Sequence, residues 1–309
     1  MIRLLASLSI VCAAAATMSV LSHPASEVAA RAPWAPLPFF YDLYTFRADG
    51  GGTAVVAAIA VEVRRLGRER VDDEFRYRFD VRFVVADTAH RSVISTGDSV
   101  YLGTPRPLAR RHLLHTYVEV RAPPSATTLQ RVIVTDATRP GVGQLYRSPF
   151  PVPDYSGNEL MLSDIAFGLP GARGGWTRGE ATLALLPTSQ FPESSFDVYY
   201  EIYNLPSGTP YETEISIQSL DDDEEDVPVV RTVFSGESRA GPDGSLSELR
   251  RVESALARGR YRLTVTVRDQ VSGHEAHNSR VVEVRGWRRG ATLIHARPYG
   301  VRTRGEPLP

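Results

Sequence analysis

Hydrophobic and polar residues alternate along most of the chain from about residue 38 onward. Segments such as AVVAAIAVEV, YRFDVRFVVAD, LQRVIVTD and YRLTVTVRD carry apolar side chains at every second position. This period is typical of half-buried β-strands, whereas a surface helix repeats every 3.6 residues. Turn sequences such as ADGGG, TRPGVG and AGPDG separate the segments, and the pattern predicts an all-β fold of antiparallel strands.

The strand pattern repeats within the chain. Tyr77–Asp87 aligns with Tyr211–Asp221, and Val118 aligns with Val252 at the same separation of 134 residues. The repeat also predicts a strand for SLSELRRVESALARG, which its own pattern would allow as an amphipathic helix.

The repeat and the turn signals predict two tandem immunoglobulin-like β-sandwich domains. We place them at residues 36–152 and 157–286, the second as an internal duplicate of the first, with a proline-rich joint between them. Asp136 and Asp269 recur where a strand enters a turn in each copy, which favours a structural role. Residues 287–309 are predicted to form a loose C-terminal tail.

An apolar run at the N-terminus predicts export. LLASLSIVCAAAATMSVL follows Arg3, which is the pattern of a secretory signal within residues 1–30. Its cleavage stays open, and an uncleaved anchor is the alternative. The only cysteine, Cys12, lies inside the run, so the mature chain would have no disulfide. We expect an exported bacterial protein, periplasmic or associated with the cell envelope.

The charge pattern limits the partners and the chemistry. The net charge is −1, and all 35 basic residues are arginines scattered along the chain. Nucleic acid is therefore not the expected partner, because binding phosphates needs a concentrated basic face. The lack of lysine excludes Schiff-base chemistry. Arginine-only usage is also common in proteins from GC-rich bacterial genomes.

Short motifs do not support an enzyme. GDSV at Gly97–Val100 and HEAH at His274–His277 are close to serine-hydrolase and zinc-protease motifs. Both chemistries need an adjoining helix, which the pattern does not predict at either place. We therefore predict no enzyme, no catalytic residues and no cofactor. A hydrolase with a dispersed active site is the remaining enzymatic alternative.

The acidic run DDDEED is a candidate calcium site. Asp221, Asp223 and Glu225 alternate like the first ligands of a calcium loop. The sixth position is Asp226 and the twelfth is Thr232, where an EF-hand has glycine and glutamate. The alternative is a solvated hairpin tip that discourages edge-to-edge aggregation.

The segment FDVYYEIYNL contains the strongest candidate contact surface. Aligning Glu201 with Glu62 of the first copy places Tyr200 on the core face of its strand. Tyr199, Glu201 and Tyr203 then lie on the opposite face. Either the other domain covers them or they contact a partner.

Trp176 in GARGGWTRGE is a further candidate for this contact surface. An exposed tryptophan beside arginines would suit sugar stacking or a protein hot spot. Alternatively, its ring closes the end of the sandwich.

Three segments resemble the β-rich region of bacterial secreted proteins of the GWxTD-domain type. They are PVPDYSGNELMLSDIAFG, VYYEIYNL and LARGRYRLTVTVRDQVSG, and the resemblance spans Pro151 to Val284. GWTR and GWRR in this chain lack the Thr-Asp of the naming motif. The resemblance implies a β-sandwich region and no catalytic residues.

Together these observations predict a non-enzymatic protein with a binding or structural role at the bacterial cell envelope. The expected partner is another envelope protein or a polysaccharide. A carbohydrate-binding module that uses Trp176 and surface tyrosines is the alternative.

Overall fold

The computed structural model describes residues 35–88, 93–169, 175–191, 195–221, 228–241, 244–253, 256–284 and 293–295. These residues are all-β, as the alternating pattern predicts, with one short 3₁₀ turn at Val63–Arg65. No helix in this part of the chain has the length and hydropathy needed to span a bilayer. The predicted signal at residues 1–30 lies outside the described residues.

The strands follow one another closely along the chain. Those of the N-terminal half are β1 (Ala35–Pro36), β2 (Phe39–Arg47), β3 (Thr53–Glu62), β4 (Glu69–Val71), β5 (Glu74–Asp87), β6 (Val93–Thr104), β7 (Leu113–Ala122), β8 (Ser125–Asp136) and β9 (Val142–Val152). Those of the C-terminal half are β10 (Met161–Leu162), β11 (Ala166–Gly168), β12 (Trp176–Arg178), β13 (Ala181–Leu183), β14 (Gln190–Phe191), β15 (Ser195–Tyr203), β16 (Pro210–Ser219), β17 (Pro228–Glu237), β18 (Ser245–Glu253), β19 (Gly259–Asp269), β20 (Glu275–Val284) and β21 (Leu293–His295). β18 confirms the strand that the repeat predicts for SLSELRRVE.

The strands form two sheets in each half. The outer N-sheet has the order β1-β9-β8-β5, with β4 and β6 also paired to β5, and the inner N-sheet has the order β2-β3-β7-β21. The inner C-sheet has β10, β11 and β18 on β15, and the outer C-sheet has the order β14-β20-β19-β16-β17. β12 and β13 form a separate hairpin.

Three hydrophobic cores hold the sheets together. One core fills the space between the outer and inner N-sheets, and a second lies between the inner and outer C-sheets. A third core joins the two inner sheets and the β12–β13 hairpin; it contains Phe46, Val56, Ala58, Trp176 and Tyr199. The sheets are therefore stacked as four layers, with the two inner sheets in the middle.

The double burial of the inner sheets explains two unusual strands. β3 is buried at every residue from Thr53 to Val61, and β15 is buried from Phe196 to Tyr203. A strand with one solvated face alternates between polar and apolar residues, whereas a strand covered on both faces is apolar throughout. The run TAVVAAIAV in β3 has this second character.

The inner sheets repeat the same pairing register. Ala57 of β3 pairs with Val118 of β7, and Phe196 of β15 pairs with Val252 of β18. These pairs agree with the sequence alignment of Val118 with Val252 and of Glu62 with Glu201.

The outer sheets differ from the sequence alignment by two residues. Phe79 pairs with Asp136, and Tyr211 pairs with Asp269. If Asp136 and Asp269 are equivalent, the counterpart of Tyr211 is Phe79, although the sequence pattern aligns it with Tyr77. A shift of two residues keeps every side chain on its original face, so the core pattern cannot distinguish the two registers.

The end of the chain departs from the predicted loose tail. β21 pairs in parallel with β7, at Leu293↔Leu113 through His295↔His115. The unpaired backbone groups of β7 at this edge of the inner N-sheet give the returning chain hydrogen-bond partners. The residues from Trp34 onward form one compact unit. The two sandwich boundaries at 36–152 and 157–286 therefore stay a prediction.

Candidate functional site

β15 directs its side chains alternately to two different cores. Phe196 and Tyr200 belong to the core between the inner and outer C-sheets. Tyr199 points the other way, into the core that joins the two inner sheets. The predicted division of FDVYYEIYNL into two faces is therefore confirmed.

Glu201 is the centre of a buried hydrogen-bond network. The hydroxyl of Tyr199 donates to one carboxylate oxygen at 2.6 Å, and the hydroxyl of Tyr203 donates to the other at 2.5 Å. The guanidinium of Arg178 binds both oxygens, with its Nη2 at 3.0 Å. The Glu201 N–H donates to Ser163 Oγ at 2.8 Å. A carboxylate that is 5% exposed is thus paired and fully hydrogen-bonded, as burial of a charge requires.

The network crosses from the C-terminal half to β2 of the N-terminal half. Arg178 also donates to the carbonyl of Arg47, and its guanidinium lies 5.1 Å from the ring centre of Phe46. The Arg47 N–H donates to the Tyr203 hydroxyl at 2.8 Å. The Arg47 guanidinium stacks over the Tyr203 ring at 4.3 Å. Arg178 and Tyr203, which both bind Glu201, therefore also contact β2 of the inner N-sheet.

Burial and charge determine the protonation of this network. Burial raises the pKa of the Tyr199 and Tyr203 hydroxyls, and the negative charge of Glu201 raises both further. Burial alone would lower the pKa of Arg178, but its hydrogen bonds and ion pair with Glu201 raise the pKa overall. Both tyrosines therefore stay neutral donors and Arg178 stays charged across the physiological pH range.

Trp176 is buried, so the prediction of an exposed stacking platform is wrong. Its ring stacks on Phe46 with centroids 5.0 Å apart and meets Tyr199 edge-on at 5.4 Å. Its Nε1–H points to Glu119 of β7 at 3.4 Å. The β12–β13 hairpin places this ring in the third core, which also contains the small side chains of Ala54 and Ala58.

The predicted contact surface is therefore internal. Tyr199, Tyr203 and Trp176 are each at most 1% exposed, and strands of the N-terminal half cover them together with Glu201. Of the two alternatives left by the sequence, coverage from within the chain is the one found, by strands of the N-terminal half. An outside partner cannot reach these four side chains in the folded chain.

A second buried charge cluster joins the halves at Arg280 of β20. Its Nη2 donates to Asp42 at 2.8 Å and to the carbonyl of Leu43 at 3.1 Å, both on β2. Its Nε lies 3.8 Å from Asp164, and its guanidinium is 4.6 Å from the ring centre of Tyr44. Burial raises the pKa of Asp42 and Asp164, and the charge of Arg280 partly offsets this.

The sequence pattern missed most of these bridging residues. Arg47, Asp42 and Arg280 are polar residues in alternating strands, which is the usual sign of a solvated face. Arg178 was the one residue with a signal, because it is two positions from Trp176 in a glycine-rich segment. Only the stacking of the inner sheets makes these positions internal.

The two aspartates that recur at strand ends close turns. Asp136 accepts hydrogen bonds from the N–H groups of Gly67 at 2.6 Å and Thr138 at 2.9 Å. Asp269 accepts one from the Val271 N–H at 2.8 Å. Burial alone would raise the pKa of Asp136, but these bonds lower it overall. The structural role predicted from their recurrence is confirmed.

The acidic run is only partly described. Asp221 Oδ2 accepts a hydrogen bond from the Arg260 N–H at 2.7 Å and so fixes the adjoining strand end. Asp223 and Glu225 lie outside the described residues. Within the described ranges, no three His, Cys, Asp or Glu side chains are grouped as a metal site would require.

Comparison with known proteins identifies no family. No protein-family model and no curated protein match the chain. Among solved structures, red sea bream transglutaminase is 14% identical, with 79% of this chain and 31% of that chain covered and a TM-score of 0.21. Bacteroides uniformis β-glucuronidase is 9% identical, with 74% and 26% covered and a TM-score of 0.26. The chain spans about a third of the first protein and about a quarter of the second, and similarity this low carries no functional argument.

The ion pair at the centre of the network can be tested by Glu201→Gln. The variant keeps the size of the side chain but leaves Arg178 as a buried charge without its partner, which should cost about 3–5 kcal/mol of unfolding free energy. The matched control is Glu275→Gln, because Glu275 pairs with Arg268 at 2.6 Å on the exposed outer C-sheet. Urea denaturation should show a large loss for the first variant and little change for the control. Equal small losses would contradict the buried network.

The raised tyrosine pKa values predict a loss of stability in alkali. Folded chains keep the protons of Tyr199 and Tyr203 above the ordinary pKa of 10.0, whereas unfolded chains release them. The two protonated tyrosines therefore contribute their full stabilisation below pH 10. Above pH 10, the unfolding free energy falls by about 1.4 kcal/mol per pH unit for each tyrosine. In Tyr199→Phe, the unfolding free energy should fall less steeply above pH 10, by about 1.4 kcal/mol per pH unit.

The comparison needs urea unfolding of both proteins at pH 8, 10 and 11. The value at pH 8 separates the constant loss of the hydroxyl's hydrogen bond from the effect of titration. An unchanged slope in Tyr199→Phe would show that this hydroxyl titrates normally in the folded chain.

Proposed function

We propose that the chain is an exported, non-enzymatic bacterial protein that binds or assembles with another component of the cell envelope. The observation that carries the proposal is the third core, which joins strands of the two halves. This arrangement presents the outward faces of the two outer sheets, and flat exposed sheets suit contact with a large partner rather than enclosure of a small substrate.

The use of the buried polar groups supports a non-enzymatic role. A catalytic acid, base or nucleophile must reach a substrate. Glu201, Asp42 and Asp136 are instead occupied by hydrogen bonds and ion pairs that hold strands or turns together. Ser99, the serine of GDSV, lies on β6 and donates to Asp80 at 2.8 Å. The dispersed hydrolase therefore has no observation in its favour.

Export is supported by the apolar run after Arg3. The sequence that follows Cys12 contains no cysteine. A chain without disulfides has to be stabilised by packing. The three cores and the buried ion pairs of Glu201 and Arg280 supply that packing. The polysaccharide alternative loses its stacking residues, since Trp176 and the tyrosines beside it are covered, and any glycan contact would use an outer face.

Cell fractionation and envelope binding test this proposal. The full chain with a C-terminal tag, expressed in a Gram-negative host, should be recovered outside the cytoplasm, while a variant lacking residues 1–30 should stay inside. The purified protein should then bind washed envelopes saturably. Recovery of the full chain in the cytoplasm, or the absence of saturable binding, would overturn the proposal.

A further inference from the structure

The outward face of the outer N-sheet carries a group of unpaired arginines. Arg78 and Arg82 lie on β5, Arg131 on β8 and Arg147 on β9, at positions that alternate with core residues such as Phe83. None of the four forms an ion pair with another described residue. We call these four side chains the arginine face.

Two of these arginines lie directly opposite each other. Arg131 of β8 pairs with Arg147 of β9, and like charges in that arrangement destabilise a sheet. The Nε of Arg131 is also buried without a hydrogen-bond partner among the described residues. An unpaired buried donor costs free energy. An anion bound between the two guanidinium groups would relieve the repulsion between them.

The outer C-sheet, the corresponding layer of the other half, handles its charges differently. There Arg231 pairs with Glu214 at 2.7 Å, and Arg268 pairs with Glu275 at 2.6 Å. Both pairs cross between neighbouring strands on the outward face. Unpaired opposing arginines are therefore a property of the outer N-sheet rather than a necessity of an exposed sheet in this fold.

A shallow cleft lies beside the arginine face. Gly97 of β6 pairs with Arg82 and has no side chain to cover it. The cleft has a volume of about 580 Å³, and the hydroxyl-bearing Ser95 and Ser99 line it together with the carboxylates of Asp80 and Asp98. A glycine inside a strand often marks a place where a ligand approaches the backbone closely.

We propose that the arginine face binds an anionic polysaccharide whose sugars carry carboxylates. This inference rests on the proposed function and names the class of its partner. The guanidinium fork matches a carboxylate in a bidentate arrangement, and the serine hydroxyls beside Arg82 suit the hydroxyl groups of sugars. An open, shallow face accommodates a polymer, whereas sites for small molecules are concave and enclosing.

Other polymers fit this face less well. Nucleic-acid binding depends on a strongly basic domain, whereas this chain has a net charge of −1 and no basic block. A neutral glycan would leave the opposing pair of Arg131 and Arg147 uncompensated.

Binding of the purified protein to polygalacturonate tests the proposal. The test variant is Arg82→Gln/Arg147→Gln, which changes two exposed side chains, and the matched control is Arg231→Gln/Arg268→Gln on the outer C-sheet. We expect saturable binding that weakens as NaCl rises from 50 to 200 mM. Each lost charge-assisted contact should weaken binding about tenfold, while the control stays within about twofold of the unmodified protein.

Several outcomes would overturn the inference. These are equal losses in both double variants, equal binding of neutral dextran, or binding of polyglutamate or duplex DNA as tight as that of polygalacturonate. Circular dichroism and urea denaturation confirm that each variant is folded. Saturable binding to washed envelopes that the test variant retains would leave the proposed function standing and reject the arginine face alone.

Discussion

The whole architecture depends on keeping the charge of Glu201 inside the protein. A buried carboxylate is tolerated only when it is paired and when its oxygens are hydrogen-bonded. Arg178, Tyr199 and Tyr203 satisfy it from within the C-terminal half. Arg47 of the N-terminal half then contacts Tyr203 and Arg178. The residues that neutralise one charge are therefore also the residues that hold the two inner sheets against each other.

Because the two inner sheets are stacked, each of them is covered on both faces. A sheet face that would otherwise be solvated becomes a core, to which β3 contributes Val56 and Ala58 and the β12–β13 hairpin contributes Trp176. The same contact leaves the outer sheets as the broad exposed faces. The two outer faces carry different arrangements of charge. Arg131 lies opposite Arg147 on the outer N-sheet, whereas Arg231 forms an ion pair with Glu214 on the outer C-sheet.

The sequence predicted the strands, the all-β class and the division of FDVYYEIYNL into two faces, because alternation and pairing register are local properties. It left open whether the second face was internal or contacted a partner. The sequence pattern around Tyr199 and Tyr203 is the same whether water or another sheet covers that face of the strand. The role of Arg280 was hidden for the same reason, since its partner Asp42 is 238 positions away. The return of β21 to β7 was missed because a three-residue strand carries too short a pattern.

The central claim is that the two halves share a buried core and fold as one body. Differential scanning calorimetry of the purified protein tests it most directly. A shared core predicts a single transition whose calorimetric enthalpy equals the van't Hoff enthalpy. Two separable transitions, one for each half, would show that the third core and its ion pairs do not couple the halves.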